Sequence, residues 1–201
     1  MRINYIYDMK LPAPNPNRLE PSIPRILAAI SHVIRTAQSK GARPTQYEIV
    51  KTLFLADRAH LNRFGRPITY DNYFAMKDGP VPSFAYDLLK ESAQAIGRLP
   101  NQRAPWSRQP IGPKVSEFFD ATYDADEDLS ESDMEVLEAA LATVMNLTFR
   151  QIRKLTHEDK AYVDAWRDDG QSKSFAMQFG LLFDDPDPER AEQIIAASKS
   201  A

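Results

Sequence analysis

From Pro24 to Lys40 the apolar residues Ile26, Leu27, Ile30, Val33, Ile34 and Ala37 recur three or four positions apart, which places them in one stripe of a helix. Pro24 suits the first turn, where no amide hydrogen is needed, and Gly41 supplies a stop. Thr45 and Glu48 have the spacing of a capping box and open a second helix that closes at Gly65. Its inner face carries Ile49, Leu53, Asp57, His60, Leu61 and Phe64, so a carboxylate falls inside an apolar stripe. A buried carboxylate needs partners: His60 one turn on, a backbone amide, or the hydroxyl of Tyr70 or Tyr73.

The periodicity then changes. Ile68, Tyr70, Tyr73, Phe74 and Met76 are strand-forming types around an Asp71-Asn72 turn signal, which predicts a small hairpin or sheet after the second helix. Gly79-Pro80-Val81-Pro82 reads as a rigid elbow, aiming the chain into a helix near Pro82 or Ser83 with Phe84, Ala85 and Leu88 inward. Residues 100–113 read as a long proline-rich loop carrying Trp106, either as a plug at the core edge or as an exposed anchor. Ser130 with Asp133 and Thr148 with Gln151 cap two further helices, a hairpin over residues 130–157 hinged at Asn146-Leu147. A short helix follows over Ala161–Trp166, while Phe175–Phe183 fits strand or helix alike. Asp187 opens a last helix, and the tail Ala196–Ala201 is expected to fray. Before all of these, Met1–Met9 alternates in character and leads into Pro12, Pro14, Pro16, Pro21 and Pro24, so residues 1–23 read as an extended arm. The expected class is mainly α (α+β): a compact helical domain over 24–185 with a small β-hairpin or sheet, then a helix and tail at 186–201.

Ordered blocks stand out between Lys51 and Lys90: Leu53–Asp57 (LFLAD), Gly65–Thr69 (GRPIT), Asp71 with Tyr73 and Ala75, and Gly79–Pro82 (GPVP) followed by YDLLK. Together they resemble the core of the Panacea domain of SocA-like antitoxins. The resemblance runs over roughly residues 24 to 185, with a second block in Leu155-Thr156-His157 and Ala165-Trp166. It implies a bacterial or phage antitoxin acting in the cytoplasm, which neutralises a cognate toxin by direct binding. It also implies that the toxin can be handed to a ClpXP-type protease, and it brings neither catalytic residues nor a cofactor. On this reading Asp57, His60, Gly65, Gly79, Pro80 and Pro82 are structural, while Tyr70, Tyr73, Met76, Val81, Phe84 and Trp106 are expected to meet the partner.

A chain of 201 residues, 43% hydrophobic, can bury on the order of 70% of its unfolded surface in one core. Without cysteine there is neither a disulfide framework nor a thiolate metal site, and no apolar stretch reads as a signal peptide or membrane span. The net charge of −3 conceals an asymmetry: residues 40–114 hold 12 basic and 6 acidic groups, residues 115–201 hold 8 and 20. The acidic half disfavours wrapping nucleic acid, so DNA binding by the protein alone is not expected to be strong. The alternative is a regulator of its own operon that reads DNA with the second helix through Lys51, Arg58, Arg63 and Arg66. The acidic run Asp124–Asp128 lacks the central glycine of a calcium loop. Asp57, His60, His157 and Glu158 are metal-ligating types without metalloprotease spacing, so no metal is expected and a metal-dependent hydrolase is the remaining alternative. Ser83 follows the elbow but lies in no nucleophile motif, and the seven glycines form no phosphate loop.

Overall fold

The computed structural model describes residues 18–168, 170 and 172–200. The alternating segment Met1–Met9 and the prolines 12, 14 and 16 of the expected arm lie outside the described residues. The end of that arm is tied down: Asn72 donates to the Leu19 carbonyl at 3.0 Å and accepts from the Leu19 amide at 3.1 Å.

Helix α1 spans Ile23–Ser39 and α2 spans Gln46–Phe64, the second opened by the Thr45/Glu48 capping box and closed by Gly65 at φ +82°, a left-handed angle that glycine takes without strain. Strand β1 (Tyr73–Met76) turns into β2 (Gly79–Pro82), and α3 (Ser83–Leu89) and α4 (Ala93–Ile96) follow. A second hairpin, β3 (Ser107–Gly112) and β4 (Val115–Phe119), precedes α5 (Glu131–Met145), α6 (Phe149–His157) and α7 (Lys160–Ala165). Strand β5 (Ser174–Ala176), a 3-10 turn (Phe179–Leu182) and α8 (Pro188–Ser198) complete the chain. The first sheet has the antiparallel order β2-β1-β5, and β3-β4 form a separate ribbon.

The main core lies where α1, α2 and α5 meet: Ile26, Ile30, Val33 and Ile34 pack with Ile49, Leu53, Leu137 and Leu141, and α3 adds Leu88 and Leu89. A second cluster around Phe54, Leu61, Tyr73 and Phe183 fastens α2 to β1, the 3-10 turn and α8. The class is α+β, as the sequence pattern predicts.

Five local expectations are corrected. The Gly-Pro-Val-Pro segment is not an elbow but strand β2, paired antiparallel with β1 from Met76↔Gly79 to Tyr73↔Pro82. Its two prolines alternate with Gly79 and Val81, so the positions lacking an amide hydrogen face away from β1 at the sheet edge, where proline is tolerated. Ile68 and Tyr70 stay outside the strands, and the hairpin turns at Lys77-Asp78 rather than Asp71-Asn72. The expected loop at 100–113 contains β3, because Phe118 on the partner strand is buried in the core and its amide reaches the Pro44 carbonyl at 3.0 Å; tertiary packing overrides the local proline signal. Phe64 is 42% exposed instead of inward, and α8 runs on to Ser198, whose hydroxyl accepts from the Glu20 amide at 3.0 Å.

Candidate partner-binding surface

The β1–β2 hairpin is held from behind by three buried ionisable side chains. Asp57, 2% exposed, accepts from the Ile68 amide at 2.7 Å, the Thr69 amide at 2.9 Å, the Thr69 hydroxyl, and the Tyr73 hydroxyl at 2.8 Å. Of the partners foreseen for it, the backbone amide and Tyr73 are used; His60 and Tyr70 are not. Burial pushes the Asp57 carboxyl up, against the pull of those hydrogen bonds. Asp71 accepts from the amides of Asn72, Phe84 and Ala85 at 2.7, 3.1 and 2.8 Å, and so joins the start of β1 to the first turn of α3. Burial raises its carboxyl to about 6, again opposed by these bonds.

Lys51 is the third, and it is 1% exposed. Because Pro80 sits at an outward position of an edge strand, its carbonyl has no strand partner, and the Lys51 ammonium donates to it at 2.8 Å. Burial lowers the lysine to about 7. Gly79, at φ +101°, leaves room for this contact: a β-carbon there would stand 2.9 Å from Lys51 Nζ and 2.7 Å from Thr156 Oγ1. Two bonds grip the tip of the hairpin, from the Tyr162 hydroxyl to the Met76 carbonyl at 2.9 Å and from Arg153 to the Lys77 carbonyl at 3.2 Å.

Around that tip lies a band of aromatic rings. Tyr47 packs on Phe149 with centroids 4.8 Å apart; on the other side His157, Tyr162, Trp166 and Phe175 follow one another at 4.3, 6.1 and 5.6 Å. Phe149 is 50% exposed, and Met76, Trp166 and Phe175 are half-buried. Helix α6 adds Arg150, Arg153 and Lys154 with no acidic residue between Phe149 and His157. Rigid aromatics edged by cations are the composition that carries binding energy at protein interfaces.

The six residues expected to meet a partner separate on this structure. Tyr73, Val81, Phe84 and Trp106 are buried, so their area is already spent inside the protein; Trp106 is the core plug and not the exposed anchor. Met76 and Tyr70 keep part of their surface, but Met76 ends β1 at the hairpin tip while Tyr70 lies three residues before the strand begins. Gly65, Gly79, Pro80 and Pro82 stand in the structural positions described above, and His60 is buried elsewhere. Its Nε2 lies 3.0 Å from Asp133, which also receives Arg25 at 2.7 Å and Arg66 at 3.0 Å and so fastens α5 to α1 and α2. Burial alone would raise Asp133; the hydrogen bonds from Arg66, Ser130 and Arg25 instead hold it far below the usual carboxylate range.

The metal-ligating types are not gathered: His60 faces Asp133 while His157 lies against Tyr162, and no group of three His, Asp or Glu among the described residues is placed to hold an ion. The cations proposed for reading DNA are occupied. Arg58 pairs with Asp159 and Asp184, Arg63 with Glu135 and Arg66 with Asp133, and Lys51 is buried rather than on a polar flank. No helix among the described residues is long and apolar enough to cross a membrane. Sequence reasoning named Lys51 only as a basic residue for DNA, Asp71 only in a family block and a turn signal, and Asp133 only as a helix cap, and gave none of them its buried bracing role. Residues 49–162 match the family described as antitoxin SocA-like, Panacea domain. No curated protein and no solved structure matches the chain.

Proposed function

The chain belongs to the SocA-like antitoxin, Panacea-domain family, and from that premise we propose that it neutralises a partner toxin by direct binding at the hairpin tip and the aromatic band beside it. The observation that carries this reading is the fixation of the hairpin. Asp57, Asp71 and Lys51 hold it from the core side, while Met76, Phe149 and Trp166 keep exposed surface around its tip. A face held in one conformation loses little entropy on binding, so more of the contact energy appears as affinity.

Neutralisation proceeds by occlusion: an interface of about 1,200 to 2,000 Å² on this face covers the toxin's active or target-binding surface. Delivery of the bound toxin to a ClpXP-type protease is a further step of the proposal, and it needs no cofactor. The Asp159 and Glu135 contacts of the α2 arginines Arg58 and Arg63, and the Asp133 contact of Arg66 just past the helix, favour toxin binding over DNA reading as the primary activity. Co-expression with the small toxic product of a neighbouring gene tests the proposal. Growth rescue together with co-purification at one-to-one stoichiometry is expected; rescue without a complex would remove the binding mechanism, and a toxin half-life unchanged by the protein would remove the protease step.

A further inference from the structure

The two edges of the first sheet differ in what they offer a neighbour. On β2 the outward positions are Pro80 and Pro82, which have no amide hydrogen, and the Pro80 carbonyl is taken by Lys51 at 2.8 Å. Such an edge rejects an added strand. The opposite edge is β5, paired with β1 as Phe74↔Ala176, Ala75↔Phe175 and Met76↔Ser174. The Met177 amide donates to the Tyr73 carbonyl at 2.9 Å, which sets the alternation: residues 175 and 177 bond to β1, and the backbone groups of Ser174 and Ala176 turn away from it.

Those outward groups are open. The Ser174 carbonyl accepts from the Ser172 hydroxyl at 3.0 Å, a bond made within its own loop. Among the described residues nothing bonds to the Ser174 amide or to either backbone group of Ala176. Both residues are exposed, and neither proline nor charge guards Ser174–Ala176. The protection this edge does have is its length of three residues. Two open positions hold a chance strand weakly, so a strand stays only where its side chains find further contacts. Such contacts are at hand, because Phe175 stands edge-on to Trp166 at 5.6 Å and Trp166 stacks with Tyr162 at 6.1 Å.

Building on the toxin-binding reading, we infer that β5 is the docking edge for an extended segment of the toxin, which joins the sheet beside Ser174–Ala176 and sets an apolar side chain against Phe175 and Trp166. Two features favour the toxin over a second copy of this chain. The open edge runs into the aromatic band of the proposed binding face, since Phe175 belongs to both. A ladder of two residues also buries far less than the roughly 1,000 Å² that a stable dimer needs, so it serves as one part of a larger interface. Main-chain pairing supplies the register, and the rings supply the choice of side chain. Backbone donors and acceptors are common to every chain, so this edge reads the extended shape of its partner and constrains sequence mainly opposite Phe175.

Ala176→Pro tests this directly. It removes the outward amide and leaves the bonds of residues 175 and 177 to β1 in place. With the toxic product of the neighbouring gene as titrant, the variant should melt near the wild type and bind about tenfold more weakly or worse. Ala176→Val keeps the amide and should bind like the wild type. Hydrogen exchange on the wild-type chain is an independent measurement should Ala176→Pro fail to fold: the Ala176 amide should exchange freely in the free protein and at least about tenfold more slowly in the complex. Wild-type affinity in a folded Ala176→Pro protein overturns the inference, and so does an Ala176 amide that exchanges equally fast with and without toxin; both leave the antitoxin reading intact. An amide already slow in the free monomer would show the chain filling its own edge, and one slow in a dimer that Ala176→Pro dissolves would give the edge to a second copy; either result overturns the inference. A wild-type chain that binds no toxin removes the antitoxin reading, and the docking edge with it.

Discussion

The Tyr73 hydroxyl donates to the Asp57 carboxylate over 2.8 Å, which joins the first residue of β1 to the middle of α2. Three further donors, from Ile68 and Thr69, reach the same carboxylate. Asp57→Ala leaves all four in a dry site, and a loss of about 3 kcal/mol or more is expected in urea denaturation. Tyr73→Phe removes one donor and should cost only about 1 kcal/mol. Equal losses for the two variants would contradict the carboxylate as the hub.

Lys51 gives stability a slope on the alkaline side. Its folded value of about 7 lies below the ordinary lysine value of 10.5, so between these the unfolded chain binds more protons. Its burial cost is therefore complete below pH 7 and is relieved as pH rises toward 10, by at most about 1.4 kcal/mol per pH unit. Denaturation between pH 7 and 9.5 should show rising stability from this group, and Lys51→Met should flatten the rise.

Asp133 acts in the opposite sense. Its folded value is depressed, so its contribution is complete above the ordinary aspartate value and is lost as the pH falls below about 3.9. Asp133→Ala leaves Arg25, Arg66 and His60 facing an empty site, and a loss of about 3 to 5 kcal/mol at pH 7 is expected. Acid titration followed by circular dichroism should show the wild type's early loss missing in the variant.

On the proposed binding face, Met76→Ala, Phe149→Ala and Trp166→Ala should weaken toxin binding, with at least one costing about 2 kcal/mol, while melting temperatures stay near the wild type. Trp106→Ala should do the reverse. It removes a buried core ring and should destabilise by about 3 to 5 kcal/mol. Calorimetric titration alongside thermal melts separates the two classes, and wild-type affinity in all three surface variants would move the interface elsewhere.

Much of the helical framework was legible because it rests on local rules. The capping boxes at Thr45, Ser130 and Thr148 are short-range hydrogen-bond patterns, and all three form. The burial of Asp57 also followed from helical spacing alone. The elbow reading of Gly79–Pro82 failed because a proline's fixed angle is compatible with an edge strand, and whether an edge exists depends on where β1 lies.

The sequence by itself determined the α1 stripe, most of the α2 stripe, the opening caps of α2, α5 and α6, the α+β class and the family blocks, since each is written in spacings of three to five residues or in contiguous runs. Only the tertiary structure decided which apolar residues were left for a partner. Tyr73 and Trp106 carry the same aromatic signal as Phe149 and Trp166, yet the first two are buried and the others keep exposed surface. It also decided that Lys51, a charged residue in a helix pattern, turns inward. The cause is a carbonyl at Pro80 that lacks a strand partner, 29 residues away in sequence and 2.8 Å away in space. Burial and long-range hydrogen bonding depend on which segments meet, and no local pattern encodes that meeting.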